Sequence, residues 1–208
     1  MSNFVKRILS SIVLIPLAFY CIFYGSYMLI FFLLICFAIT CYEWNIMTKN
    51  KPYKTYGFIF LIISFYTFYD LSVDTVGLLF VLIICVSTDI GGYVFGKIFN
   101  GPKLTKISPN KTYAGAIGGY FLSLISLIII NFYVDYPFFS IQLIITFILI
   151  STVSQIGDIT VSYFKRKSNI KNTGKIIPGH GGLLDRIDGM IFAFPIYYLI
   201  NSTGYLNI

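Results

Sequence analysis

The sequence predicts an all-α, polytopic membrane protein with about seven transmembrane helices and with its polar loops on the cytoplasmic face. Of its 208 residues, 57% are hydrophobic and 11% are charged, and the mean hydropathy is +0.83, whereas soluble domains have about 25% charged residues. The apolar runs are long enough for helices of roughly 20 residues, and they lack the alternation of a membrane β-barrel. No linker or repeat divides the chain, so we predict one integral-membrane domain over residues 1–208.

Seven apolar runs predict the spans, near residues 8–24, 27–46, 57–70, 75–95, 114–133, 138–158 and 189–206. The first run could be a signal peptide, but no small-residue cleavage site follows it, so we interpret it as a retained helix. The third run is short and rich in Tyr and Phe. We retain it as a span because omitting it would reverse the sidedness of every later loop.

The basic residues indicate the orientation of these spans. They fall at the amino terminus and in every second connection: Lys6, Arg7, Lys49, Lys51, Lys54, Lys97, Lys103, Lys106, Lys111, Lys165, Arg166, Lys167, Lys171, Lys175 and Arg186. The turns near Gly25, Asp70–Asp74 and Asp135–Pro137 contain no Lys or Arg. The positive-inside rule makes the basic side cytoplasmic. After the amino-terminal helices of residues 1–88, we therefore expect the polar segments 89–119 and 158–188 both to face the cytoplasm.

The net charge of +7 does not indicate a nucleic-acid partner, because the sequence has no soluble basic face or aromatic-studded groove. Membrane lipid with anionic headgroups and a polyphosphate ligand are better matches to a basic membrane protein.

The acidic residues divide into two groups. Five lie at or near predicted cytoplasmic helix ends, namely Glu43, Asp89, Asp158, Asp185 and Asp188, while Asp70, Asp74 and Asp135 lie on the outer turns, where a solvated role is expected. If the sixth helix continues past its apolar part, Asp158, Ser162 and Lys165 share one face. Asp185 and Asp188 would likewise share a helical face. Brought together, such carboxylates could hold Mg²⁺, although each could instead serve as a helix cap or ion-pair partner.

A glycine-rich loop precedes the last acidic cluster. Gly179, Gly181 and Gly182 would let main-chain N–H groups approach a phosphate at a helix start. His180 could orient a phosphate, transfer a proton or simply hydrogen-bond within the loop. Lys111, between a Ser-Pro turn and a glycine-rich helix start, is also well placed for an anion.

The segments SYFKR (162–166), KNTG (171–174) and PGHGGLLDRID (178–188) closely resemble the signature of the phosphatidate cytidylyltransferases, the CDP-diacylglycerol synthases. Asp89–Gly96 and Ile107–Thr112 are similar to a second region shared by that family. Together these regions cover roughly half of the chain, and the amino-terminal third resembles the family only in its apolar helices. The compact single-domain form and this resemblance imply a bacterial inner membrane.

The resemblance implies that CTP and phosphatidate react to give CDP-diacylglycerol and pyrophosphate, with Mg²⁺ as cofactor. A phosphatidate oxygen would attack the α-phosphorus of CTP in line, without a covalent enzyme intermediate. The implied catalytic residues are Asp158, Lys165, Asp185, Arg186 and Asp188, and the three aspartates among them are the implied metal ligands. The implied substrate-binding residues are Asp89, Lys111, Ser162, Arg166, Lys171, His180, Gly181 and Gly182.

Two departures from the family pattern leave alternatives open. The chain has Asn172 where the family usually has Asp, and Ala114 where it usually has Glu, so a catalytically inactive relative is one alternative. A CTP-dependent enzyme acting on an isoprenoid lipid is another. A small membrane transporter would instead need ionisable or broken positions near mid-membrane in paired halves. A homodimer is also left open, because so many Phe and Tyr side chains could form a partner surface.

Overall fold

A computed structural model describes residues 3–131, 140–179 and 181–206 of this chain. Its elements are the helices α1 (Asn3–Tyr24), α2 (Ser26–Met47), α3 (Lys54–Leu71), α4 (Thr75–Phe99), α5 (Tyr113–Asn131), α6 (Ile141–Lys167), α7 (Leu184–Ile187) and α8 (Met190–Ser202). In these ranges β pairing is limited to two isolated bridges, Lys103–Thr112 and Ile177–Gly181. The predicted all-α class is confirmed. The predicted turn at Asp135–Pro137 and the loop residue His180 lie outside the described residues.

Each of the seven predicted apolar runs corresponds to a helix, and α7 is an additional short one. Among the described residues, three helical stretches are long and apolar enough to cross a membrane, namely Tyr27–Met47, Thr75–Phe99 and Ile141–Lys167. Shorter apolar helical stretches cover Ile12–Tyr24, Tyr113–Ile128 and Met190–Ser202. Large apolar side chains such as Phe23, Phe31 and Ile117 are exposed along these helices, as lipid contact requires. The chain is therefore an integral membrane protein.

The ends of α6 differ from the predicted span of residues 138–158. The helix begins at Ile141, where the backbone N–H of Leu143 donates to Ser140 Oγ at 3.2 Å, a side-chain cap of an otherwise unpaired helix donor. It continues beyond Asp158 to Lys167, and the cations of its last turn, Lys165 to Lys167, are favourable at a helix carboxyl terminus. Asp158, Ser162 and Lys165 therefore all lie on α6, which is the condition under which we expect them to share one face.

The chain forms two compact units. The first comprises Met1–Thr75 and Phe164–Asp188, and within it α2 packs against α1, α3 and α7. The indole of Trp44 lies on α3, where its Nε1–H donates to the carbonyl oxygen of Lys54 at 2.9 Å. Gly57 makes this contact feasible, because a Cβ there would overlap the indole ring. The end of α2 is thereby fixed next to α3.

The second unit comprises Val76–Tyr163 and Gly189–Ile208. Its helices α4 and α5 cross at glycines: a Cβ on Gly115 would lie 2.6 Å from the carbonyl oxygen of Gly92, and one on Gly118 would overlap Phe95. The hydroxyl of Thr88 on α4 donates to Ser151 Oγ of α6 at 2.8 Å. Small residues let the backbones approach closely, and hydroxyl pairs link the apolar helices, as is usual in membranes.

Candidate functional site

The first polar cluster lies in the second unit and joins α6 to the loop before α5. Lys111 Nζ forms an ion pair with Asp158 Oδ2. The other carboxylate oxygen, Oδ1, accepts a hydrogen bond from Ser162 Oγ at 3.4 Å. The side chains of Lys111 and Asp158 are 24% and 28% exposed, so this pair is partly shielded and still open to a ligand.

The loop between α4 and α5 places Lys111 by main-chain hydrogen bonds. The N–H of Leu104 donates to the carbonyl oxygen of Lys111 at 2.8 Å, and the N–H of Lys111 donates to that of Ser108 at 3.0 Å. Thr112 then caps α5, because its Oγ1 accepts from the N–H of Gly115 at 3.0 Å. The main chain on both sides of Lys111 is therefore ordered by hydrogen bonds.

The second polar cluster lies in the first unit and centres on Asp185. Lys165 Nζ donates to Asp185 Oδ1 at 2.9 Å, and the N–H groups of Thr173 and Gly182 donate to Oδ2 at 2.9 and 3.2 Å. The Lys165 and Asp185 side chains are 13% and 7% exposed. Burial raises the pKa of Asp185, but the hydrogen bond from Lys165 and the main-chain donors outweigh it, so the pKa lies below its usual value. Asp185 is therefore a carboxylate at neutral pH.

Gly181 has a backbone conformation that only glycine adopts easily. Its φ is +92°, and a Cβ there would lie 3.0 Å from Asp185 Oδ2. Its carbonyl oxygen accepts from the N–H of Ile177 at 3.0 Å, which closes the loop below Asp185. Here the predicted glycine-rich loop surrounds a carboxylate of the protein itself.

Glu43 is the residue that sequence reasoning left out of the site. It lies on α2 and is 1% exposed. Its carboxylate accepts from the N–H groups of Leu183 and Leu184 at 3.0 and 2.8 Å and from Thr173 Oγ1 at 3.0 Å. A signal was present, since Glu43 is the only charged residue between Ile8 and Thr48, and an ionisable group in an apolar helix indicates a functional position.

The other predicted site residues take varied positions. Arg166, at the end of α6, and Arg186, in α7, are exposed, as is Lys171 in the loop between those helices. Asp89 is exposed on α4. Asp188 ends α7 with a helical backbone conformation, which keeps the three-residue helical spacing from Asp185. The role predicted for His180 falls outside the described residues.

The donor groups bear on the Mg²⁺ prediction. Among the described residues, no group of three or more His, Cys, Asp or Glu side chains is arranged to hold a metal ion. Mg²⁺ nevertheless needs only one or two protein carboxylates, since water and substrate phosphates complete its shell. Asp158 with the Ser162 hydroxyl, and Asp185 with its lowered pKa, each supply hard oxygen donors of that kind. Each cluster, taken by itself, therefore offers oxygen donors of the kind that Mg²⁺ binds.

The fold and these clusters define a helical membrane protein whose polar segments hold lysine–aspartate pairs suited to phosphate groups. The model of the cytidylyltransferase family matches residues 55–203. The phosphatidate cytidylyltransferase of Rickettsia felis is 36% identical over 211 residues, which cover 96% of this chain and 92% of that protein. The one from Rickettsia bellii is 40% identical over 214 residues, which cover 97% of this chain and 92% of that protein. That of Staphylococcus haemolyticus is 34% identical over 175 residues, which cover 80% of this chain and 67% of that protein.

This chain belongs to the cytidylyltransferase family. The resemblance stated from the motifs is confirmed, and the chain is a nucleotidyltransferase of the membrane. The two departures lie at different places: Asn172 is exposed in the loop beside Gly181, and Ala114 is in the first turn of α5. Neither residue contributes a side-chain hydrogen bond to the Lys111–Asp158 or the Lys165–Asp185 pair as described above.

Proposed function

We propose that this chain transfers the cytidylyl group of CTP to phosphatidate, giving CDP-diacylglycerol and pyrophosphate for phospholipid biosynthesis. A phosphate oxygen of phosphatidate forms the new bond to the α-phosphorus of CTP. The bond from that phosphorus to the oxygen bridging the β-phosphate breaks, and pyrophosphate leaves with the electron pair. The observation that carries the proposal is the Lys165–Asp185 pair, built from the motifs that resemble the family signature.

The two lysines supply positive charge for this reaction. An ammonium group has three donors, and Lys165 uses one on Asp185 in the described contacts, so it can bind a phosphate oxygen without leaving the carboxylate. Lys111 is held in the same way by Asp158. Preorganised cations of this kind stabilise charge as it develops on the leaving pyrophosphate. Arg166, Arg186 and Lys171 add positive charge for the same phosphates, and by the resemblance Ser162, Asp89, His180, Gly181 and Gly182 complete the substrate-binding set.

By the family resemblance, we assign Asp158, Asp185 and Asp188 as the Mg²⁺ ligands. The ion supplies Lewis-acid charge neutralisation on the phosphate oxygens. The three carboxylates would hold the ion, and through it they would orient those oxygens. Removal of divalent ions with EDTA is expected to abolish turnover, and Mg²⁺ in excess is expected to restore it. Undiminished turnover after complete chelation would contradict this assignment.

The test of the reaction uses purified protein with CTP, phosphatidate and Mg²⁺, and CDP-diacylglycerol is measured directly. We expect product from the parent protein and none above background from Asp185→Ala or Asp185→Asn. Asp70→Asn is the matched control, because Asp70 is an exposed carboxylate at the far end of α3, and it should retain parent activity. Folded parent protein that yields no product with phosphatidate would refute the proposal. Product with an isoprenoid phosphate alone would favour the isoprenoid alternative, and no product with any lipid phosphate would favour an inactive relative.

The membrane placement is also part of the proposal. We place the seven longer helices across a bacterial inner membrane, with both polar segments in the cytoplasm. Thiol labelling in intact cells tests this arrangement. In a background without the native cysteines, a cysteine at Val73, which is 86% exposed, should react with an impermeant reagent, and one at Lys106 should react only after the cells are opened. Labelling of both positions in intact cells would contradict the arrangement.

Under this proposal the protein acts either as a monomer or as a homodimer. Cross-linking of the purified protein in detergent, followed by mass measurement, distinguishes the two.

A further inference from the structure

We infer that Glu43 is a positioning residue for the reaction proposed above, and the inference rests on that proposed function. Glu43 lies on α2, more than a hundred residues in sequence from its hydrogen-bond partners. It holds the polar segment from Thr173 to Leu184 so that this segment presents Asp185 and Lys165 in one fixed geometry. It does not touch the reacting groups, and it acts through Thr173 and the start of α7.

The contacts of Glu43 show an acceptor-only carboxylate. Oε1 accepts from the N–H of Leu183, while Oε2 accepts from the N–H of Leu184 and from Thr173 Oγ1. Each of these partners is a donor, and an ionised carboxylate is a side chain that offers two acceptor oxygens and no donor. An amide in its place would direct an N–H group at one of the donors. The site is therefore built for two acceptor oxygens, which a glutamine side chain cannot supply.

Two glycines give the carboxylate its space. A Cβ on Gly174 would lie 2.5 Å from Glu43 Oε1, and a Cβ on Gly182 would lie 2.5 Å from Oε2. Both glycines belong to the motif-bearing segment, and both are needed because the segment wraps closely around a side chain from another helix. The glycine at position 182 thus serves the protein's own carboxylate in addition to any ligand.

Thr173 connects Glu43 with the catalytic pair. Its hydroxyl donates to Glu43 Oε2 at 3.0 Å, and its backbone N–H donates to Asp185 Oδ2 at 2.9 Å. Gly182 N–H reaches the same Asp185 oxygen, and the next two N–H groups reach Glu43. One loop is thereby held between two carboxylates. Without the Glu43 contacts, the N–H groups of Thr173 and Gly182 would no longer be held against Asp185. Asp185 and its partner Lys165 would then lose their fixed orientation.

The test compares Glu43→Gln with Thr173→Val and Thr173→Ser. We expect Glu43→Gln to lower kcat by about ten- to a hundredfold, which is the usual cost of losing a group that orients a ligand. The KM for CTP should stay within about twofold, because the missing interaction acts on geometry at the reacting centre rather than on uniform binding. Thr173→Ser, which retains the hydroxyl, should be several-fold more active than Thr173→Val. The double variant Glu43→Gln/Thr173→Val should be no worse than Glu43→Gln alone, since both changes break one network.

Limited trypsin digestion gives a readout that does not depend on activity. Lys171 and Lys175 are exposed, two residues before and two residues after Thr173, so Glu43→Gln should speed cleavage after both of them. Cleavage after Lys106, in the second unit, should keep the parent rate. If the parent enzyme proved inactive on phosphatidate, this digestion would still support or refute the role of Glu43 in holding the loop.

Three outcomes would overturn the inference. The first is a Glu43→Gln variant with parent kcat. The second is faster cleavage at Lys106 as well as at the loop lysines, since that would indicate general loss of folding. The third is equal activity of Thr173→Ser and Thr173→Val, which would show that the hydrogen bond from the Thr173 hydroxyl to Glu43 contributes nothing to catalysis.

Discussion

Replacing Lys165 by Met tests the buried ion pair most directly. Its Nζ lies 2.9 Å from Asp185 Oδ1, where two unit charges interact by about 5–6 kcal/mol at an effective dielectric constant of about 20. Desolvation offsets much of this attraction, and breaking a buried pair on one side costs about 3–5 kcal/mol. Two N–H groups still hold Asp185 in the variant. We therefore expect the free energy of unfolding to fall by about 3 kcal/mol, the lower end of that range.

The same change should reduce catalysis strongly. Removing a preorganised donor that meets developing charge lowers kcat by roughly a hundred- to a thousandfold. The assays are CDP-diacylglycerol formation and unfolding by SDS in mixed micelles. Lys167→Met is the matched control, because Lys167 lies on the same helix end with its ammonium 4.8 Å from the Tyr53 ring centroid, and it should cost at most about 1 kcal/mol.

A double variant separates charge from shape. Lys165→Met combined with Asp185→Asn leaves no unpaired buried charge, so its loss of stability should be smaller than the sum of the two single losses. The reasoning would be refuted if Lys165→Met matched Lys167→Met in both stability and kcat, or if the two single losses simply added.

Two further predictions concern the second unit. Lys111→Met should lower kcat by about a hundredfold but cost less than about 1 kcal/mol of stability, because its pair with Asp158 is more exposed than the Lys165 pair. Turnover measures the first effect and SDS unfolding the second. A stability loss equal to that of Lys165→Met would contradict the comparison. Gly118→Leu should destabilise the protein by at least about 1–3 kcal/mol, since its side chain would overlap Phe95. SDS unfolding measures this loss, and Ile117→Leu, at an exposed position, is the control. Equal stability of the two variants would contradict the close crossing of α4 and α5.

The helices could be predicted from local pattern. The apolar runs placed every long helix, because burial in lipid demands continuous hydrophobic length. The spacing of Asp158, Ser162 and Lys165 predicted a shared face if the sixth helix continued past its apolar part, and α6 continues through all three. Such features depend on neighbours in sequence, so the sequence alone is sufficient to find them.

The pairing of the carboxylates could not be predicted in this way. Asp185 lies 20 residues from Lys165, and Glu43 lies 130 residues from Thr173. No periodicity connects residues at such separations. The glycines were assigned to phosphate binding on chemical type, and the structure shows that Gly182 also donates to Asp185. A lone charge in an apolar helix was the available indication for Glu43, but its partners required the tertiary structure.

The position of Trp44 gives the protein a built-in optical probe. It is the only tryptophan in the chain, its ring is buried, and its centroid lies 5.3 Å from that of Phe164 in an edge contact. It follows Glu43 directly in sequence, on the helix that holds the polar segment. Its fluorescence therefore reports on the packing of α2, α3 and the end of α6 without any added label. Rearrangement of this region on substrate binding would change the emission, so ligand titrations can be followed on the unmodified enzyme.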